Sequence, residues 1–147
     1  MIKDADAFKR WMYYTIITLS ATLVFDVIIP NGQHLRPQNF EVTNLSTWIL
    51  SIVWGADTPT NVFPSMHVLG CIGNVAALYD SRKTFSRQWR IIIVILCILC
   101  SASTVLVKQH AMIDTVGAVV FAIPILILVY RKQIAVDIKK AASCLHL

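Results

Sequence analysis

The chain has 147 residues, 56% of them hydrophobic and 14% charged, with a formal net charge of +5 and a mean hydropathy of +0.66. Soluble domains carry about a quarter charged residues, so this composition excludes a fold that faces water on all sides, and the length allows a single membrane domain over residues 1–147. The positive charge does not mark a nucleic-acid binder. Lys3, Lys9 and Arg10, then Arg82, Lys83, Arg87 and Arg90, then Arg131, Lys132, Lys139 and Lys140 each border a long apolar run, as cytoplasmic loops do under the positive-inside rule. A membrane, and no nucleic acid, is the expected partner.

A spanning helix needs about 20 mostly apolar residues, and four runs read as spans, at about 11–30, 62–79, 91–107 and 111–130. The first ends at the helix-breaking Pro30-Asn31-Gly32; it is too long for a signal-peptide core and lacks a small-residue cleavage site, so it is expected to stay as an anchor. After a polar stretch, Leu45, Trp48, Ile49, Ile52 and Val53 recur at helical spacing. That stripe predicts a short helix over about 44–54, lying in the membrane interface or packed against the bundle. The second span is short and reaches backward through Asn61-Val62-Phe63; within it, Asn74 is expected to hydrogen-bond between helices. In the fourth, Pro124 is expected to kink the helix and not to end it. Cys71, Cys97 and Cys100 fall inside apolar runs and read as small packing residues, with no metal-ligand spacing. The fold class is therefore all-α, a polytopic transmembrane bundle of four spans with one short interfacial helix. Alternation puts the basic patches and both termini on the cytoplasmic side, and residues 31–64 and 108–112 outside. With no eukaryotic targeting signal, a bacterial plasma membrane is the expected location.

Both unusual polar clusters fall on that outer side. Ser65 follows Pro64 at a predicted helix start, where free N–H groups and the positive dipole end favour an anion, and His67 lies on the first turn next to that site. The second cluster is Ser103-Thr104, Lys108, His110 and Asp114; on a helix, His110 and Asp114 share a face, so the carboxylate can orient the imidazole. Lys108 reads either as a cationic ligand or as an interfacial side chain reaching for water. Asp57 reads as a cap for the turn before Thr58-Pro59, and Asp26 as a residue paired with a polar neighbour.

Pro64-Ser65-Met66-His67 resembles the second signature, PSGH, of the type 2 phosphatidic acid phosphatase / haloperoxidase superfamily. Ser103, His110 and Asp114 match the spacing of its third signature, SRxxxxxHxxxD, and Arg36-Pro37 resembles the end of its first, KxxxxxxRP. Ile29 stands where the first signature has lysine, Thr104 where the third has arginine, and Met66 where many members have glycine. These departures resemble the inositol-phosphorylceramide-synthase-like branch. Members carry six spans with the signatures on the last four, so the first two are expected to be missing here. The resemblance implies phosphoryl transfer without metal or cofactor, on a lipid phosphate or pyrophosphate at the outer face. His110 would attack phosphorus to form a phosphohistidine, Asp114 would hold its other ring nitrogen, and His67 would protonate the leaving oxygen. Ser65, Arg36, Lys108, Ser103 and Thr104 would bind the phosphate. The acceptor is water in a phosphatase or a lipid alcohol in a phosphotransferase. The alternative is a truncated, non-catalytic membrane protein that keeps a lipid-phosphate-binding site.

Overall fold

The computed structural model describes residues 4–145, with side chains through Val136 apart from Ile134. Lys3 and the side chains of Lys139 and Lys140, from the first and last basic patches, lie outside the described residues. The described chain is all helical, with α1 at Ala5–Ile28, α2 at Leu45–Ala56, α3 at Met66–Asp80, α4 at Arg87–Leu106 and α5 at Met112–Leu145.

Side-chain caps set the starts of the helices. Asp4 accepts from the Ala7 N–H, Ser65 from Val68 and Ser86 from Trp89. Asn44 and Thr47 form a reciprocal capping box at α2. α1 ends at Ile28, just ahead of the Pro30 breaker.

α3 is the centre of the bundle: α1, α4 and α5 all pack on it, and α5 also packs on α1. Small residues on α3 allow the close approach. A Cβ on Gly73 would run into the ring of Tyr14, which is 1% exposed and whose hydroxyl donates to the Leu69 carbonyl at 3.1 Å. Trp11 Nε1 donates to Asn74 Oδ1 at 3.1 Å, the interhelical bond expected at Asn74. At the far end of α3, Arg10 Nε meets the buried Asp80 carboxylate at 2.6 Å. Val68, Leu69, Ala118 and Ala122 form one apolar cluster, and Tyr14, Ile125 and Tyr130 a second.

Outward faces carry Leu23, Val27, Leu96, Ile98, Leu99 and Val120, all exposed. Water would penalise that surface; hydrocarbon does not. Among the described residues, three helical stretches have the length and apolarity to cross a membrane: Ala5–Ile28, Arg87–Leu106 and Met112–Gln133. Three of the four expected spans are among them. The predicted second span contains only the 15-residue α3, roughly 22 Å long at 1.5 Å per residue, because Pro64 and the Ser65 cap delay the helix until Met66 and residues 62–65 are not helical. α5 runs through Pro124 without ending there. On α2 the apolar stripe of Leu45, Trp48, Ile49 and Ile52 is exposed, so it is not buried against the bundle.

The Gly73 contact predicts that Gly73→Ala lowers stability by about 1–3 kcal/mol through overpacking against Tyr14. Gly70→Ala, whose Cβ would meet nothing within 4 Å, should leave the unfolding midpoint in detergent unchanged or raise it. Equal midpoints for the two variants would contradict this packing.

Candidate functional site

Two connections bring the polar clusters together. Between α1 and α3, Asn31 acts as a clamp. Its Oδ1 accepts from the backbone N–H groups of Val62 and Phe63 at 2.8 and 2.9 Å. Its Nδ2 donates to the Phe63 carbonyl at 3.1 Å and to Asp26 at 3.4 Å, the polar pairing expected for Asp26. This fixes the path of the chain into Ser65. Between α4 and α5, the chain turns back on the Thr104 carbonyl, which accepts from the N–H groups of Gln109 and His110 at 2.9 and 3.1 Å. Lys108 takes a positive φ of 56° in this turn, a conformation with a steric cost for a residue that has a Cβ.

Asp114 joins the two connections. Its carbonyl accepts from the Ser65 N–H at 3.2 Å, at the start of α3. Its Oδ2 accepts from the Ala111 N–H at 2.7 Å, at the start of α5. The same carboxylate lies 3.6 Å from His110 Nδ1, an ion-pair distance longer than a hydrogen bond. On the other side of the ring, His110 Nε2 is 3.2 Å from His67 Nδ1. If Asp114 favours the proton on Nδ1 of His110, Nε2 is an acceptor and His67 Nδ1–H the donor. His110 and Asp114 are buried, at 5% and 4% exposure, while His67 is exposed.

The structure thus gathers His67, His110, Asp114 and Ser65. His110 and Asp114 meet through a turn, with His110 ahead of the first residue of α5 and not on the helix. Ser65 is fully buried: its N–H serves the Asp114 carbonyl and its hydroxyl accepts from Val68 at 3.5 Å. The first-turn amides of Met66 and His67 have no acceptor within their helix, unlike the Ser65 N–H, which is taken by the Asp114 carbonyl. Thr104 is buried behind the turn and donates to the Ser101 carbonyl at 2.9 Å; it shapes the turn through its own carbonyl. Ser103 is exposed and donates to the Cys100 carbonyl at 2.8 Å. Lys108 is exposed beside the site. Arg36 donates to the Trp54 carbonyl at 2.9 Å and stacks over the Trp54 ring, while Trp54 Nε1 donates to Val107 at 2.8 Å. Arg36 therefore reaches the turn through Trp54, and its Nε and Nη2 have no partner.

Four residues hold this site that sequence reasoning did not assign to it. Asn31 has just been described. Gln33 donates to the carbonyl of Gln109, tying the connection between α1 and α2 to the turn. Gln109 Nε2 donates to Asp57 Oδ2 at 3.0 Å, so Asp57 belongs beside the histidines as well as next to its own turn. Polar amides in an otherwise apolar chain were the available signal, yet nothing in their spacing says which backbone they reach.

Burial holds the His110 pKa below the ordinary histidine range, and the neighbouring His67 lowers it further, against an opposite pull from Asp114 and Asp57. His110 is thus neutral near pH 7, with a lone pair on Nε2. Compared with families of proteins, with curated proteins and with solved structures, the chain matches none.

A depressed folded pKa means that the unfolded chain takes up the proton first, so this contribution to stability is present above about pH 6.5 and is lost as pH falls below it. Nitrogen-15 spectra should show His110 titrating below about 6.5, higher in His67→Ala and lower in Asp114→Asn. A native value at or above the ordinary one would contradict the burial and charge balance described.

Proposed function

We propose that the chain is an integral membrane lipid phosphatase or phosphotransferase that works through a phosphohistidine on His110. The observation that carries this reading is the His67–His110–Asp114 line: a buried neutral imidazole with a carboxylate behind Nδ1 and a second histidine in front of Nε2. A nucleophile, a group that orients it and an acid on the side of attack are the parts that covalent phosphoryl transfer requires. The resemblance of residues 64–67 and 103–114 to the phosphatase signatures points the same way.

In the first step the Nε2 lone pair attacks phosphorus, the P–O bond to the leaving group breaks, and His67 protonates the departing oxygen. In the second, water or a lipid alcohol attacks phosphorus, His67 takes its proton and the P–N bond breaks. His67 holds the Nε2 lone pair in a hydrogen bond at rest, so the phosphoryl group enters between the two rings. His67 is exposed and has room to swing aside. Negative charge in the transition state is met by the amides of Met66 and His67 and by Lys108.

In this reading α3 is a short fourth crossing, recessed at the outer end where a lipid headgroup sits, and α2 lies in the interface with its exposed stripe against lipid. The basic loops set both termini in the cytoplasm and the site on the outer face of a bacterial plasma membrane. A second reading, phosphate binding without turnover, draws on Arg36 and Ser103, both of which are engaged with backbone carbonyls away from the histidines.

Release of inorganic phosphate from short-chain phosphatidate in detergent with EDTA tests the proposal. The native chain should release phosphate, and His110→Ala should lower the rate about a thousandfold or more, as loss of a nucleophile does. Ser103→Ala should stay within about threefold, the scale on which single-residue effects vary with context. Full release by His110→Ala would refute the phosphohistidine, and phosphatidate binding without release by the folded native chain would favour the second reading.

A further inference from the structure

A cavity of about 680 Å³ lies between α4 and α5 with α3 as its floor. Both outer helices pack on α3 but scarcely on each other, which leaves the groove open along one side. Its upper end is formed by Val68 and Thr115, the residues that directly follow His67 and Asp114. The groove therefore begins where the reacting groups end.

Its exposed walls are almost entirely apolar, and the few polar side chains at its two ends are tucked in. At the top, the Thr115 hydroxyl is buried without a hydrogen-bond partner, and Ser101 lines the wall nearby. The middle is apolar, with Ile72, Ala76 and Ile98 among its walls. At the bottom stand Asp80, Tyr130 and Gln133, and the Tyr130 hydroxyl, on a side chain 6% exposed, has no partner. An apolar groove that begins beside the histidines matches a hydrocarbon chain whose polar head is held at that end.

We propose that this groove holds one acyl chain of the lipid whose phosphate lies at His67 and His110, and that its floor limits the chain length. This rests on the reading of the histidines as a phosphate site. From Val68 to Asp80 the helical rise is roughly 18 Å. A trans hydrocarbon chain built from bonds of about 1.5 Å advances about 1.3 Å per carbon, so the groove takes roughly 14 carbons, a myristoyl chain. A longer chain would press apolar carbons against Asp80 and Tyr130 or bend out between α4 and α5. The second acyl chain stays in the bilayer.

The test is photolabelling in phosphatidylcholine nanodiscs with a non-hydrolysable phosphonate analogue of dimyristoyl phosphatidate. One chain carries a diazirine, either at mid-chain or at the terminal carbon. The mid-chain probe should label the level of Cys71 and Ser101, and the terminal probe the level of Tyr79 and Gln133. Phosphatidylcholine carrying the same labelled chain should give at least about fivefold less. Ile98→Trp, which fills the groove from an exposed position, should cut both signals by a similar factor. Gly70→Ala should leave them intact.

Equal labelling by phosphatidylcholine, or labels spread over Leu19 and Leu23 on α1, would overturn the proposal in favour of general lipid contact. Cross-links to a second copy of the chain would overturn it in favour of an interface between copies. If phosphate release fails while depth-ordered, head-dependent labelling persists, the catalytic reading falls and the chain-binding groove stands.

Discussion

Asp114 occupies the point on which the histidine end of the bundle depends. Its carbonyl takes the Ser65 N–H and its carboxylate takes the Ala111 N–H, so one residue fixes the starts of both α3 and α5. Both bonds lie in a region with little access to water, where an unpaired backbone donor is costly. The same carboxylate faces His110 Nδ1, so the orientation of the imidazole follows from the helix starts and is not a separate arrangement. His67, the second residue of α3, then meets Nε2 because α3 begins where Asp114 sets it. A change at Asp114 acts on the backbone and on the site together.

The membrane supplies the second constraint. Three long apolar helices surround a short one, and the short one carries Ser65 and His67 at its recessed start. Shortening α3 puts polar groups within reach of the surface while its apolar length still lines a groove between α4 and α5. The chain between α1 and α3 closes over this end through Asn31, Gln33 and Trp54, each of which satisfies backbone groups of a neighbouring segment. Irregular backbone at membrane depth is tolerated where such partners exist.

Helical class, the long apolar helices and the capped start at Ser65 were legible in the sequence, because apolar run length and cap chemistry act locally. The second run was legible as a short one with its helix starting at the Ser65 cap, and its backward extension through Asn61-Val62-Phe63 is a non-helical entry. Asn74 was legible as a polar residue in an apolar run that needs an interhelical partner. His67, His110, Asp114 and Ser65 were singled out by spacing, and their convergence depends on tertiary geometry that spacing does not contain. Arg36 and Ser103 show the limit of motif reading, since their nearest acceptors are the Trp54 and Cys100 carbonyls. The parts played by Asn31, Gln33, Gln109 and Asp57 depend on long-range bonds to loops whose paths only the folded chain defines.

The most direct test of the central claim is to trap the covalent intermediate. The native chain would be mixed with short-chain phosphatidate labelled in its phosphate, quenched in alkali within milliseconds and digested for mass spectrometry. The account predicts an acid-labile phosphoryl group on His110, absent from His110→Ala. Turnover with no phosphoryl group on the protein, or with the group on any residue other than His110, would contradict it.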